Sequence, residues 1–430
     1  MADAPATHAT EHAYPDDLAH FVLERVRGLG ASCNFAMLAR VLSIAYQASL
    51  LREEERPLSF RLLLSPPEAL PLEAGPALGC YQLRFHEPRA LDEQEIRRLA
   101  LAAKMRSAMI GIFGATAVDL RIWGLIHTGA GWLHAIQGGR SVGTQAPKAL
   151  SVVAAGPGRL VVSFGDVTIA KLAAGRLTGR SPDVFDSKWL PDACAENRLD
   201  VLAAHDSNGS RAAVDTELLR RVDQQLVRRI IANVRLSHHG GTIVILPHEE
   251  AERAADTGSP ITLKYRFANE EPRRRYRSLQ LLLLAALGAD VARNGQAASF
   301  ETYITSKSPE CIAVDDALLE LAHTIADLAD VDGAVVMSKR MEVIGFGGEI
   351  VGELPTVPRV LHALDPEGVE REEEATDRVG TRHRSVYRLC AAVPEAVGVV
   401  VSQDGGVRLV ANKDGRVTYW DQLGTGPMEI

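Results

Sequence analysis

The sequence predicts an α/β protein of more than one domain, and three observations carry that prediction. The chain has 430 residues, 46% of them hydrophobic and 24% charged, which is enough for two or three cores of ordinary composition. In the C-terminal half, Leu218, Leu219, Val222, Leu226, Ile230 and Val234 recur every three or four residues, and a run at 242–246 behind Gly240-Gly241 reads as a buried strand. In the N-terminal half, short apolar runs at 151–155, 159–164 and 167–172 are separated by Gly-containing turns such as Gly156-Pro157-Gly158.

Taken in order, residues 1–15 read as a flexible tail whose His8 and His12 are solvated. Helices are expected at 17–27 and 33–52, and strands at 59–64 and 81–85. Asp92 with Glu95 resembles a capping box, and Ile96, Leu99, Ala103 and Ile110 continue at roughly helical spacing. A further strand is expected at 120–127. The Asp-, Ser-, Asn- and Pro-rich stretch 178–214 reads as a connection. These readings give a regulatory α/β or α+β domain at 16–200, a linker at 201–214 and a second domain at 215–425. In that second domain a helix at 315–329 precedes strands at 333–337 and 342–346, a helix starts near Thr381, and a meander of three strands closes the chain at 397–401, 407–410 and 417–420.

Composition excludes several functions. The formal net charge of −8 argues against sequence-independent nucleic-acid binding, so nucleic acid is an unlikely partner. Five scattered cysteines without a CxxC point to neither a disulfide framework nor a zinc site. The longest apolar run, 279–287, is too short to span a bilayer, and the first residues lack a signal-peptide pattern, so a soluble cytoplasmic protein is expected.

Two short motifs carry chemistry. Gly380-Thr381-Arg382-His383-Arg384-Ser385 opens a helix, with Thr381 as the expected N-cap. Free N–H groups, the helix dipole and two guanidinium forks make that turn fit for a polyphosphate, and Gly380 permits close approach; the bland alternative is an exposed basic helix start. Asp332-Gly333-Ala334 opens a strand, and an Asp beside a bare backbone can hold a divalent metal or orient a hydroxyl; alone, Asp-Gly is also a common turn.

The order Asp332-Gly333-Ala334, then a hairpin ending in Gly347-Gly348-Glu349-Ile350, then Gly380-Thr381-Arg382-His383-Arg384, then Val401-Ser402-Gln403, is similar to the diadenylate cyclase domain, the family of the DNA integrity scanning protein. The resemblance covers about 215–425 and implies a central mixed β-sheet flanked by helices. It implies a homodimer or higher homo-oligomer that condenses two ATP into cyclic di-AMP and two pyrophosphates, with Mg²⁺ or Mn²⁺. On this resemblance Asp332 assists the attacking 3′-hydroxyl and holds the metal, with His383 beside it, and Arg382, His383 and Arg384 bind phosphates. Gly333, Ala334, Gly380, Thr381, Ser385, Ser402 and Gln403 line the nucleotide, and Ile350 packs on adenine.

Three departures accompany it. Gln403 stands where many relatives have Glu, Phe346 replaces a small residue beside the expected adenine pocket, and 350–379 reads as an insertion, a surface loop in preference to a lid. Two rival readings follow: a degenerate domain that senses ATP or cyclic di-AMP, and a cyclase with another nucleotide product. Upstream, the segment 152–177 resembles the probable sensor domain, of the DACNV type, fused to one group of soluble bacterial diadenylate cyclases. Arg273-Arg274-Arg275 reads as a solvated charged loop, and His238-His239 as a helix C-terminal feature.

Overall fold

The computed structural model describes residues 12–27, 33–70, 81–104, 107–128, 148–165, 167–179, 183–193, 195–207, 213–237, 239–254, 256, 258–268, 271–291, 297–377, 379–403 and 405–421. It is mixed α/β and divides into two compact units, one made of the described residues up to 179 and one of those from 183 onward. His8 and His238 lie outside the described residues.

The first unit opens with helices α1 (Pro15–Val26) and α2 (Phe35–Leu50) and a two-residue ribbon, β1 (Arg52–Glu53) with β2 (Arg56–Pro57). Then come β3 (Phe60–Leu64), β4 (Tyr81–Ala90), α3 (Glu93–Ala102), β5 (Ala108–Phe113), β6 (Arg121–His127), β7 (Leu150–Gly156), β8 (Arg159–Phe164), β9 (Val167–Ala173) and β10 (Arg176–Gly179). Its eight-stranded sheet has the order β10-β9-β8-β7-β3-β5-β6-β4, with β3 and β5 parallel and every other pair antiparallel. The three helices pack on one face through Leu18, Val22, Leu38, Leu42 and Ile96. Asn34 caps α2 and Asp92 caps α3, each accepting from the backbone N–H three residues on. The helical spacing read through Ile110 does not hold: α3 ends at Ala102, and Ile110 lies in β5, where a short run buried in its first five residues is served as well by a strand. Of the tail, Ala13 N–H is bonded to Gly175 O at 2.9 Å, in the turn before β10.

The second unit begins earlier than the sequence suggested. Residues 183–207 are not a linker: they form a 3₁₀ turn (Val184–Asp186), α4 (Trp189–Asp192) and α5 (Ala195–Ser207). Val184, Phe185, Leu190 and Val201 are buried in this unit's core. Composition misled here because the polar residues of α5 are used internally. Asn197 donates to Gln280 at 2.8 Å, and Arg198 pairs with buried Asp223 at 3.4 Å.

The remaining elements are α6 (Thr216–Ser237), β11 (Gly241–Leu246), α7 (His248–Glu252), β12 (Ile261–Arg266), α8 (Arg275–Val291), α9 (Phe300–Thr305), α10 (Pro309–Ala329), β13 (Ala334–Ser338), β14 (Val343–Ile350), β15 (Arg359–Ala363), β16 (Arg371–Ala375), α11 (Thr381–Ala392), β17 (Val397–Val401), β18 (Val407–Lys413) and β19 (Arg416–Asp421). They build a nine-stranded sheet in the order β12-β14-β13-β11-β17-β18-β19-β15-β16. Alternation along β11 feeds two cores. Ile243 and Ile245 join the cluster of α6, α8 and α10, whereas Val244 and Leu246 join the cluster of α7 and α11. The inserted loop expected at 350–379 is a hairpin instead. β15 pairs with β16 antiparallel and with β19 parallel, so the insertion extends the sheet. Two of its acidic residues are used across the ladder, where Glu373 pairs with Arg359 at 2.7 Å and Glu374 accepts from Tyr419 at 2.6 Å.

Candidate functional site

Sheet register gathers the motif residues at one edge of the second unit. β11 and β13 run parallel, with Thr242 opposite Ala334, so both strands start at this edge. β14 and β17 run the other way and end here: Gly348 faces Ala334, and Val401 faces Gly241. Asp332-Gly333 before β13, Glu349-Ile350 at the end of β14, and Ser402-Gln403 after β17 therefore share one edge. Neighbouring strands lie about 4.8 Å apart, which spreads these groups over roughly 15 Å.

The backbone at the centre of this edge needs glycine. Gly333 has φ +113°, and a Cβ there would lie 2.6 Å from the backbone of Gly347. That contact seats the Asp332 turn directly on β14. Asp332 itself is exposed. Ala334, the third residue of its motif, is buried in the sheet and shapes the edge through its backbone.

The phosphate motif is placed by α11. The helix lies on the sheet through buried Val386, Tyr387, Leu389 and Cys390. Its N-cap is Gly380, not Thr381, and no side chain caps it; Thr381 is the first helical residue. Glycine leaves the first N–H groups uncovered, which suits an anion better than a self-satisfying Thr cap. Thr381, Arg382 and Arg384 are exposed, and His383 and Ser385 half-buried. Arg382 donates from Nη1 to His239 O at 3.2 Å, tying the helix to the turn before β11. The turn's Gly240 (φ +67°) is hemmed in by Val401 O, Arg382 Nη1 and Gln403 N. Arg382 thus holds the site together, and that role of the His239-Gly240 turn was missed in the sequence. Ser402 donates its hydroxyl to Gly406 O at 3.1 Å, closing the turn into β18.

Ile350 packs on the core beneath α11, the layer that carries the phosphate motif. Phe346 does not border that layer: it packs on the α6–α10 core and stacks on Tyr265 with ring centroids 4.6 Å apart.

A second charged cluster lies elsewhere in the unit. His248, Glu252 and Glu342 bring their ligand atoms within 4.8 Å of one another. Arg273, with its side chain 2% exposed, pairs with both carboxylates, and Arg274 reaches Glu342 at 3.1 Å. Guanidinium charge fills the place a cation would take, so the trio is a structural ion network. Arg273 is accordingly buried, which corrects the solvated reading for that residue, whereas Arg274 and Arg275 of the run are exposed.

Among the described residues no helix is long and apolar enough to cross a membrane. No curated protein and no solved structure matches the chain. Residues 30–127, which span α2 to β6 of the first unit rather than the 152–177 segment singled out in the sequence, match the family model described as the probable sensor domain DACNV.

Proposed function

We propose that the second unit is a diadenylate cyclase domain regulated by the first, and that the chain condenses two ATP into cyclic di-AMP with release of two pyrophosphates. The observation that carries this reading is the convergence of Asp332, Ile350, the Arg382-His383-Arg384 helix start and Ser402-Gln403 on one sheet edge, although they are up to 71 residues apart in sequence. The sensor-domain match at 30–127 supports it, since sensor domains of that kind are linked to diadenylate cyclases.

In this reading each 3′-hydroxyl attacks the α-phosphate of the facing ATP. An O3′–P bond forms, the bond to pyrophosphate breaks, and a second copy of the chain supplies the second ATP. Asp332 orients the attacking hydroxyl and takes its proton. Arg384, Thr381, Ser385 and the open N–H groups of α11 hold phosphate oxygens, and Arg382 both keeps the helix on β11 and faces the phosphates. Gly333, Ala334 and Gly380 let the nucleotide approach the backbone, and Ile350 supports the base. Positioning and charge neutralisation supply the acceleration.

The donor set fits a hard divalent cation, Mg²⁺ or Mn²⁺. One exposed carboxylate, Asp332, and one imidazole, His383, would hold it, with nucleotide phosphates completing the shell. Such an ion supplies charge neutralisation at the polyphosphate when bound. Gln403 adds no anionic ligand.

The test is product identification by mass spectrometry after incubation with ATP and Mn²⁺ or Mg²⁺, beside Asp332→Asn. Cyclic di-AMP from the parent and none from the variant is the expected result. Nucleotide binding without any product would instead favour a degenerate sensor, the reading that Gln403 supports. A different cyclic product would move the specificity assignment but not the site.

A further inference from the structure

Beside Asp332 stands a charged pair that neither motif contains. Lys264, on the edge strand β12, places its Nζ 2.7 Å from Glu349, the residue before Ile350 at the end of β14. Both side chains are about half exposed, so the pair sits at the mouth of the site rather than in the core. A chain of close backbone contacts ties it to the catalytic turn. A Cβ on Gly333 would strike Gly347, and a Cβ on Gly347 would lie 3.2 Å from Lys264 Cβ. Two carboxylates, Asp332 and Glu349, thus flank one flexible ammonium. Glu349 and Asp332 both act to keep that ammonium protonated, with the Glu349 hydrogen bond foremost.

We infer that Lys264 is the resident cation of the Asp332 corner, a positioning residue that balances Asp332 and Glu349 while no metal is bound and gives way when a divalent cation enters. The inference rests on the proposed function for its metal, but it concerns a residue that reading does not use. The physical reason is competition. A like charge a few ångströms from a metal ligand opposes a divalent ion, and a lysine on an exposed edge strand can swing away at little cost, which an Arg held in a fork cannot. β12 is the outermost strand of the sheet, so the Lys264 side chain has solvent to move into.

The experiment uses the full chain, freed of metal and titrated with Mn²⁺ alone, following the free-ion electron paramagnetic resonance signal. Asp332→Asn defines the background. Removing the ammonium in Lys264→Met is expected to tighten Mn²⁺ uptake about three- to tenfold, while Lys264→Arg, which keeps the charge but gives way less readily, is expected to weaken it. A purely structural role would leave uptake unchanged or weaken it. Equal or weaker uptake by Lys264→Met overturns the inference, and so does the absence of Asp332-dependent uptake in both parent and variant up to about 10 mM. Cyclic dinucleotide formation is scored separately, after ATP is added to the same samples. Loss of product in the parent would count against the cyclase reading, whereas the Mn²⁺ curves judge Lys264.

Discussion

The two units share a plan, a mostly antiparallel sheet with helices packed on it, but they finish their central strands differently. In the first unit the parallel pair β3 and β5 ends in closure: Ser65 N–H bonds to Ile112 O at 3.1 Å, and Trp123 Nε1 bonds to Ser65 O at 2.9 Å. Leu63, Met109, Trp123 and Ile126 bury that region in a small apolar cluster. In the second unit the parallel pair β11 and β13 starts in the open, behind Gly240 and Gly333, with Asp332, Arg382 and Arg384 exposed around it. A common sheet architecture thus sets where chemistry can sit, and the residues at the strand ends decide whether any does.

The largest expected effect sharpens that contrast. Asp332→Asn should lower cyclic dinucleotide formation by at least about 100-fold without lowering thermal stability, because the side chain is exposed and only its charge and orientation are used. Asp119→Asn, an equally exposed carboxylate of the first unit, should leave turnover within about twofold. Equal losses from both would break the comparison.

Next comes a buried ion pair of the second unit's core. Asp315 pairs with Arg229 and accepts from Tyr303 Oη at 2.5 Å, and both ionic side chains are at most 2% exposed. Asp315→Ala should cost about 3–5 kcal/mol in urea unfolding of the second unit, since it strands a guanidinium away from water.

Arg382 and Arg384 then separate holding from gripping. Arg384→Ala should raise the KM for ATP about tenfold and leave stability unchanged, as expected for an exposed phosphate donor. Arg382→Ala should lower turnover and also expose the turn at 239–241 to hydrogen exchange, because its bond to His239 O is lost.

A last effect is a pH dependence of stability alone, with no change in turnover. Burial pushes the Asp223 carboxyl up to about 6, against the lowering effect of Tyr276, Arg198 and Gln280. The folded state then holds a proton that the unfolded state releases near pH 4, so this group's contribution is present below about pH 4 and is lost as pH rises through about 6. The loss is on the order of 3 kcal/mol for a shift of this size. Urea unfolding at pH 4–7 should show that decline in the parent and not in Asp223→Asn.

Much of this was legible in the sequence because periodicity and turn residues spoke for one another. The helix at 216–237 and the closing meander followed from Leu and Val spacing and from Asp414-Gly415, which adopts positive φ at both residues. The gathering of Asp332 with the 380–385 turn was legible only through motif order, because register across four strands cannot be read from any one of them. What failed had tertiary causes. The stretch 183–207 looked like a linker because its polar residues find partners on α6 and α8. Arg273 looked solvated because Glu252 and Glu342 approach it from distant segments. Thr381 yielded the cap to Gly380, a one-residue shift that propensity alone does not resolve. The Lys264–Glu349 pair carries no sequence signal, since 85 residues separate its members.

The central claim is that nucleotide chemistry belongs to the open strand edge of the second unit. Hydrogen–deuterium exchange of the full chain, with and without ATP and Mn²⁺, tests it without requiring turnover. Protection confined to 239–242, 330–335, 347–351, 380–386 and 401–403 is the expected result. Protection concentrated within 30–127, with that edge unchanged, would contradict it.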